Sequence, residues 1–283
     1  MTSNAITQHL GFAHLKDLPC YLLTCGQATA VISSYGAHLL SYKPQAEVET
    51  IYLSPDAAWK NNTPIRGGVP VCWPWFGPVA AEFNPAAQKL PNHGVVRTEL
   101  WQVVKQSVTD TAVSIELRIE SKTLPYSNAP SYVSLTLQLT EAALTLTLKS
   151  DQGLQQAALH SYFNVDSVHQ VSVSSLSGDY LDKVKAGERF VQQQPELKFT
   201  AEVDRVYLDT ADELTLRQEE NAVLITQQGH DASVLWNPWT EKAAALKDLP
   251  DLGYLDFVCV ETARLSLTNT APLQLVQQIR YLG

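Results

Sequence analysis

Ala112-Val113-Ser114-Ile115-Glu116-Leu117-Arg118-Ile119-Glu120, Tyr132-Val133-Ser134-Leu135-Thr136-Leu137-Gln138-Leu139 and Ala143-Leu144-Thr145-Leu146-Thr147-Leu148-Lys149 decide how this chain folds. In each stretch Val, Ile or Leu alternates with a polar or charged residue. That period of two marks a strand with one face in a core and the other in solvent. Thr109-Asp110, Ser127-Asn128-Ala129-Pro130 and Thr140-Glu141 separate the stretches. Such connections are too short for a crossover, so consecutive strands should run antiparallel.

Working outward, further strands are expected at Ala222 to Thr226, Ser233 to Trp236, Phe257 to Glu261 and Leu273 to Tyr281. Helical signal is thin: Asp56-Ala57-Ala58-Trp59 and Thr240 to Lys247 each offer a turn or two. No internal repeat, low-complexity tract or Pro/Gly/Ser linker divides the chain. The expected fold is mainly β, a large antiparallel β-sandwich with few short helices, formed as one domain over residues 1–283.

Composition narrows the function. With 283 residues, 45% hydrophobic and 17% charged, the chain is long enough to bury a full core. A net charge of -9 argues against a nucleic-acid partner, whose footprint would be a basic stripe. It leaves room for an anionic metabolite, because a few focused Arg residues suffice locally. Met1 to Leu15 has no basic n-region and no apolar h-region, and nothing reaches the length of a membrane span. Cys20, Cys25, Cys72 and Cys259 are too sparse for a zinc framework and read as buried thiols of a cytoplasmic protein.

Ile65-Arg66-Gly67-Gly68-Val69-Pro70-Val71-Cys72-Trp73-Pro74-Trp75-Phe76-Gly77-Pro78 packs two Trp, one Phe, three Pro and three Gly around a single Arg. That composition cannot make a helix and reads as a rigid aromatic loop presenting one guanidinium, a wall for a sugar ring. Asn92-His93-Gly94-Val95-Val96-Arg97 places a His and an Arg on either side of a Gly that would let the backbone approach a ligand; the alternative is an exposed turn with a solvated Arg. His160 stands between apolar and aromatic neighbours at a strand end, where a core His bonded to a carbonyl is the alternative. Glu261 follows four residues of a buried strand; a charge there costs several kcal/mol unless paired, and Arg264 is one candidate partner. Asp204 either faces a ligand or pairs at the surface with Arg205. An imidazole and a carboxylate together can move one proton onto an oxygen while removing another.

In order along the chain, the Arg66 to Pro78 run, His93-Gly94 with Arg97, Leu159-His160-Ser161-Tyr162-Phe163-Asn164, Asp204-Arg205-Val206-Tyr207 and Val260-Glu261-Thr262 resemble the hexose-6-phosphate mutarotases, also called glucose-6-phosphate 1-epimerases. The resemblance extends from about Tyr35 to Tyr281. It implies a galactose-mutarotase-like β-sandwich, aldose 1-epimerase activity on a small phosphosugar, and neither cofactor nor metal. By the same resemblance His160 and Glu261 are the catalytic acid and base, and Arg66, Asn92, His93, Arg97 and Asp204 bind substrate. The chain departs from relatives at Val95 and Val96, where an aromatic and Ala are common, and at Asn92, where some carry Gln. Nothing in the pattern demands a partner, so a monomer is expected. Three other readings remain open at this point: a glycoside hydrolase using Asp204 and Glu261, a non-catalytic sugar-binding module, and a metal site built on His93, His160 and a carboxylate.

Overall fold

The computed structural model describes residues 4–121, 124–127, 129–176 and 178–283. Asn128, in one expected turn, lies outside the described residues. In chain order the elements are β1 (Ala5–Phe12), β2 (Leu15–Cys25), β3 (Ala28–Ser33), β4 (His38–Lys43), β5 (Val71–Cys72), β6 (Gln102–Val108), β7 (Val113–Ser121), β8 (Ser131–Leu139) and β9 (Leu144–Ser150). They continue with β10 (Ala157–Leu159), β11 (Tyr162–Asn164), β12 (Ser172–Ser174), β13 (Asp179–Asp182), β14 (Glu188–Val191), β15 (Glu196–Lys198), β16 (Val203–Leu208) and β17 (Glu213–Arg217). Last come β18 (Ala222–Gln228), β19 (Ala232–Asn237), the helix α1 (Trp239–Ala245), β20 (Phe257–Arg264) and β21 (Leu273–Leu282).

Strands β1 to β4 form a four-stranded meander. A nine-stranded sheet runs β15-β12-β17-β18-β21-β9-β8-β7-β6, and an eight-stranded sheet runs β14-β13-β16-β19-β20-β10-β5 with β11 also on β20. The strands pair antiparallel throughout. The three alternating stretches become β7, β8 and β9, neighbours as their short turns require. The turn before β7 and the turn between β8 and β9 use the same chemistry. Thr109 and Thr140 each receive the N–H of the residue three positions on at their hydroxyls, 3.1 Å in both cases, while their own N–H groups bond the matching carbonyls at 2.9 Å.

Alternation fixes which side chains reach the core. Leu137, Leu146, Leu275 and Ile279 of the nine-stranded sheet are 0% exposed and meet Leu159, Phe163, Leu235 and Val260 of the eight-stranded sheet in one cluster. Each such aliphatic side chain contributes about 1.5–3 kcal/mol by leaving water. A second cluster, including Leu15, Leu18, Tyr35 and Ile65, lies on the meander. Thr240 to Lys247 falls largely within α1, but Asp56-Ala57-Ala58-Trp59 makes a turn and no helix. Among the described residues no helix is long and apolar enough to cross a membrane.

Candidate active site

The antiparallel register builds the site. β10 pairs with β20 so that Leu159 faces Thr262, and β11 pairs so that Tyr162 faces Cys259. The two pairings share one register, which sets His160 across from Glu261. Cross-strand positions of this kind bring side chains on one face into contact. His160 Nε2 lies 3.3 Å from Glu261 Oε1, with the carboxylate side chain 1% exposed and the imidazole 11%. Neither alternative partner is used: Arg264 donates to the carbonyls of Ala271 and Pro272 at 2.8 and 3.2 Å.

Burial governs the protonation of this pair. Desolvation raises the Glu261 carboxyl well above its ordinary 4.5, and the charge of Asp204 adds to the rise. Desolvation also pushes the His160 imidazole well below 6.5, followed by the influence of His93, Arg97 and Arg66. The physical consequence is a neutral pair holding one proton between them. Glu261 Oε2 and His160 Nδ1 are buried and make no hydrogen bond among the described residues. Buried polar atoms are otherwise nearly always paired, so these two mark the pair as an unsatisfied polar spot.

The same register aligns a row across four strands. Asp204 faces Trp236, Trp236 faces Cys259, and Cys259 faces Tyr162. Tyr162 stacks on His160 with ring centres 5.0 Å apart, and Trp236 meets His160 edge-on at 6.1 Å. Arg66 closes this wall. Its Nε donates to Asp248 Oδ1 at 3.1 Å, its Nη1 donates to the Tyr162 hydroxyl at 2.9 Å, and its guanidinium lies 6.0 Å from the Trp236 ring centre. Tyr162 and Asp248 hold Arg66 firmly charged despite its burial. Among the described residues Nη2 of Arg66 makes no hydrogen bond, which leaves one edge of the fork for an anion.

His93 enters from the opposite side, its ring 5.6 Å from that of His160 and 4.8 Å from Phe76. Its Nδ1 accepts the Gly77 N–H at 3.3 Å and lies 3.5 Å from Cys72 Sγ. An accepting Nδ1 leaves the ring proton on Nε2. Burial pushes this imidazole down to about 3, so His93 is a neutral donor at physiological pH. Gly94 is required here, but for a reason other than ligand approach. At φ +79° its missing Cβ would stand 1.8 Å from Trp73 O, so the close approach is to the chain's own backbone.

Arg97 Nη2 donates to the carbonyl of Asn92 at 3.0 Å, and its charge is felt by His93, His160 and Cys72. Asn92 is exposed and contributes that carbonyl. Asp204 pairs with Lys242 at 3.7 Å, while Arg205 turns to Asp182 at 3.7 Å, so the surface pair Asp204–Arg205 does not form. Burial raises the Asp204 carboxyl and Lys242 opposes the rise.

Two expectations about the aromatic run need correction. Trp73 and Trp75 are 0% exposed and spend their indole N–H groups on Gln155 and the Pro91 carbonyl, so neither is a wall of the site. Val71 and Cys72 form β5 at the edge of the eight-stranded sheet, where the flanking Pro residues are tolerated. The partly exposed rings beside the pair are Phe76 and Trp236, Tyr162 is buried and stacked against His160, and Asp248 is the partner that orients Arg66. Tyr162 and Phe76 lay within quoted motifs without a separate role. Trp236, an aromatic in the buried strand Ala232–Asn237, carried only its own residue type as a signal.

His160, Cys259 and Glu261 bring potential metal-ligating atoms within 4.8 Å of one another. Burial raises the Cys259 thiol well above 9.0, which keeps it protonated, and the fixed charge of Arg66 opposes a cation. The His93–His160 metal reading gains no carboxylate beyond Glu261, which is already bonded to His160. A separate groove of about 1060 Å³ lies between Leu100, Val104, Arg118 and Tyr132, and its described lining residues include no imidazole.

Comparison with known proteins adds to this geometry. A family model described as aldose 1-epimerase matches residues 19–271. An Escherichia coli K12 protein with the provisional name glucose-6-phosphate 1-epimerase is 35% identical over 275 residues, covering 94% of this chain and 91% of its own length. The crystal structure of a Salmonella typhimurium protein provisionally named a mutarotase superposes with a TM-score of 0.86 at 29% identity, covering 98% of this chain and 97% of that one. The galactose 1-epimerase of Lactobacillus acidophilus shares the fold, with a TM-score of 0.77 at 14% identity over 99% of both chains.

Proposed function

The chain belongs to the aldose 1-epimerase family, and on that premise we propose that it interconverts the α and β anomers of a hexose 6-phosphate, glucose 6-phosphate first among them. One observation carries the reading: a buried imidazole and a buried carboxyl, 3.3 Å apart, stand beside a guanidinium with a free edge.

Mutarotation removes a proton from the C1 hydroxyl and delivers one to the ring oxygen O5, then reverses both steps after the C1 carbonyl has turned. The proton count of the enzyme does not change over the cycle, so a pair that holds one proton is sufficient. Glu261 takes the C1 hydroxyl proton as the C1–O1 double bond forms. His160 protonates O5 as the C1–O5 bond breaks. Each positioned group is worth roughly 10²- to 10⁴-fold. Ring opening thus ends with Glu261 protonated and His160 neutral, the state that burial favours. To begin, the proton must sit on His160, which burial opposes most and the influence of His93, Arg97 and Arg66 opposes further. A phosphate dianion held by the two guanidiniums offsets their share of that opposition. The phosphate therefore supplies affinity and eases the starting protonation state.

His93, a neutral Nε2–H donor, faces the oxygen where charge develops. Asp204 accepts hydrogen bonds from ring hydroxyls at the far end of the aromatic row. Support for the 6-phosphate comes from Arg66 and Arg97 and from the name of the Escherichia coli relative. The hydrolase reading would leave His160 peripheral, whereas here it is bonded to one of the two carboxylates.

The test follows anomerisation of freshly dissolved α-glucose 6-phosphate by NMR, with α-glucose as control. Acceleration of the phosphosugar above the uncatalysed rate, with little effect on glucose, is the expected result. Acceleration of both would make it a general aldose epimerase. Tight sugar binding without acceleration would overturn the catalytic reading.

A further inference from the structure

The ladder on β20 opens where the catalytic pair sits. Between β10 and β11, the His160 N–H turns to the Pro70 carbonyl at 3.1 Å and the Ser161 N–H folds back to the Leu159 carbonyl at 3.0 Å. The bond from Val260 N–H to the Ser161 carbonyl remains, at 3.1 Å. The backbone at His160 is therefore less firmly tied to β20 than the strands on either side of it. Directly behind this opening, between the two large sheets, lies a buried polar network.

Its centre is Gln277, which projects from β21 of the nine-stranded sheet in a row otherwise filled by Leu273, Leu275 and Ile279. Gln277 Oε1 accepts the Ser161 hydroxyl at 2.5 Å. Its Nε2 donates to Thr262 Oγ1 at 2.9 Å and to the Val260 carbonyl at 3.3 Å. One amide thus grips the residue after His160 with its oxygen and both neighbours of Glu261 with its nitrogen. Thr262 donates its own hydroxyl hydrogen bond to Gln227 Oε1 at 3.0 Å. Gln227 lies opposite Gln277 in the register of β18 and β21, and its Nε2 donates to Ser233 Oγ at 2.7 Å. Ser161, Gln227, Ser233, Thr262 and Gln277 are all 0% exposed. Apolar residues would fill this space with no polar groups to satisfy, and a fully satisfied network specifies one geometry where an apolar core does not.

We infer that Gln277 is a positioning residue: it clamps Ser161 to Val260 and Thr262 and so sets the separation of His160 and Glu261. The inference rests on the proposed mutarotase reading, because it assigns the clamp to that reaction's proton transfers. Gln277 touches neither substrate nor proton; it acts through the strand positions on either side of the pair. Misplacement of a catalytic group by about an ångström costs on the order of 100-fold in rate.

The experiment compares Gln277→Leu with Gln227→Leu, an equally buried amide of the same network that contacts only one neighbour of the pair. Gln277→Leu should lower kcat on α-glucose 6-phosphate by 10- to 100-fold, leave KM within about twofold, and shift the pH profile of kcat. Gln227→Leu should lower Tm but keep kcat within about threefold. Where Gln277→Leu does not fold, Ser161→Ala, which removes one hydroxyl and keeps the packing, should lower kcat in the same way with KM held. Wild-type kcat in a folded Gln277→Leu or Ser161→Ala variant, or equal losses in the two glutamine variants, would overturn the inference. NMR titration of the His160 imidazole gives an independent readout. If the wild-type protein accelerates no sugar, the mutarotase reading fails on its own. An unchanged His160 titration in Gln277→Leu then overturns the clamp, and an altered one supports it.

Discussion

Replacing Glu261 with Gln keeps the side chain's volume and one carbonyl oxygen but fixes it neutral and unable to accept a proton. The carboxyl is 1% exposed, and burial holds its pKa well above 4.5. An acid raised in the folded state weakens folding as pH climbs above the unfolded value, because the unfolded chain ionises first. Gln removes that penalty, so the variant should be at least as stable as the wild type at pH 7, with Tm unchanged or higher. Turnover should behave in the opposite way. Loss of a positioned base costs roughly 10²- to 10⁴-fold, or about 3–5 kcal/mol on the barrier, and no other carboxylate contacts His160 among the described residues. The assay is anomeric exchange of α-glucose 6-phosphate by NMR with the uncatalysed rate subtracted, alongside thermal unfolding. A kcat within threefold of wild type would refute the base assignment. A large fall in Tm accompanying the lost activity would instead make Glu261 structural.

Arg66→Ala and Arg97→Ala should each raise KM for a hexose 6-phosphate by about 10- to 100-fold, from a charge-assisted bond worth about 1.5–3 kcal/mol, with a smaller effect on free hexose. Equal losses on both substrates would mean that these Arg residues are structural. His38 is buried, donates Nε2–H to the Gly67 carbonyl at 2.8 Å, and is pushed down to about 4 by desolvation. A depressed imidazole leaves stability intact above about pH 6.5 and lost as pH falls toward about 4. Urea unfolding should show a loss of about 2 kcal/mol from this residue by about pH 4.5, and His38→Gln should flatten that part of the pH dependence; an unchanged slope would assign acid lability to other groups. Gly94→Ala drives a Cβ to 1.8 Å from Trp73 O and should cost at least about 3 kcal/mol by urea unfolding, whereas Gly77→Ala, at φ +69° with nothing within 4 Å, should cost about 1 kcal/mol. Similar losses at the two positions would contradict the close approach of the His93 loop to Trp73.

Local chemistry made much of the fold legible. The period-two stretches became β7, β8 and β9 because alternation is a property of a strand and its own two faces, whatever its partners. The Thr109 and Thr140 turns form from bonds within four residues. The short α1 likewise falls where Thr240 to Lys247 offered helical residues. The motifs containing Arg66, His93, His160 and Glu261 could be read as family features without knowing their arrangement. What only the tertiary structure decided is which of these residues meet. His160 and Glu261 are far apart in the chain, and nothing in either segment states that they share a register. That pairing is set by the packing of the whole eight-stranded sheet, since a slip of one residue would turn one of them to the opposite face. The roles of the aromatics follow the same rule. Trp73 and Trp75 stand in a loop that suggests a sugar wall, yet the fold buries both and sets Trp236 and Tyr162 beside His160 instead. Residue type reports what a side chain can do, whereas burial and register, which depend on every other strand, determine what it faces.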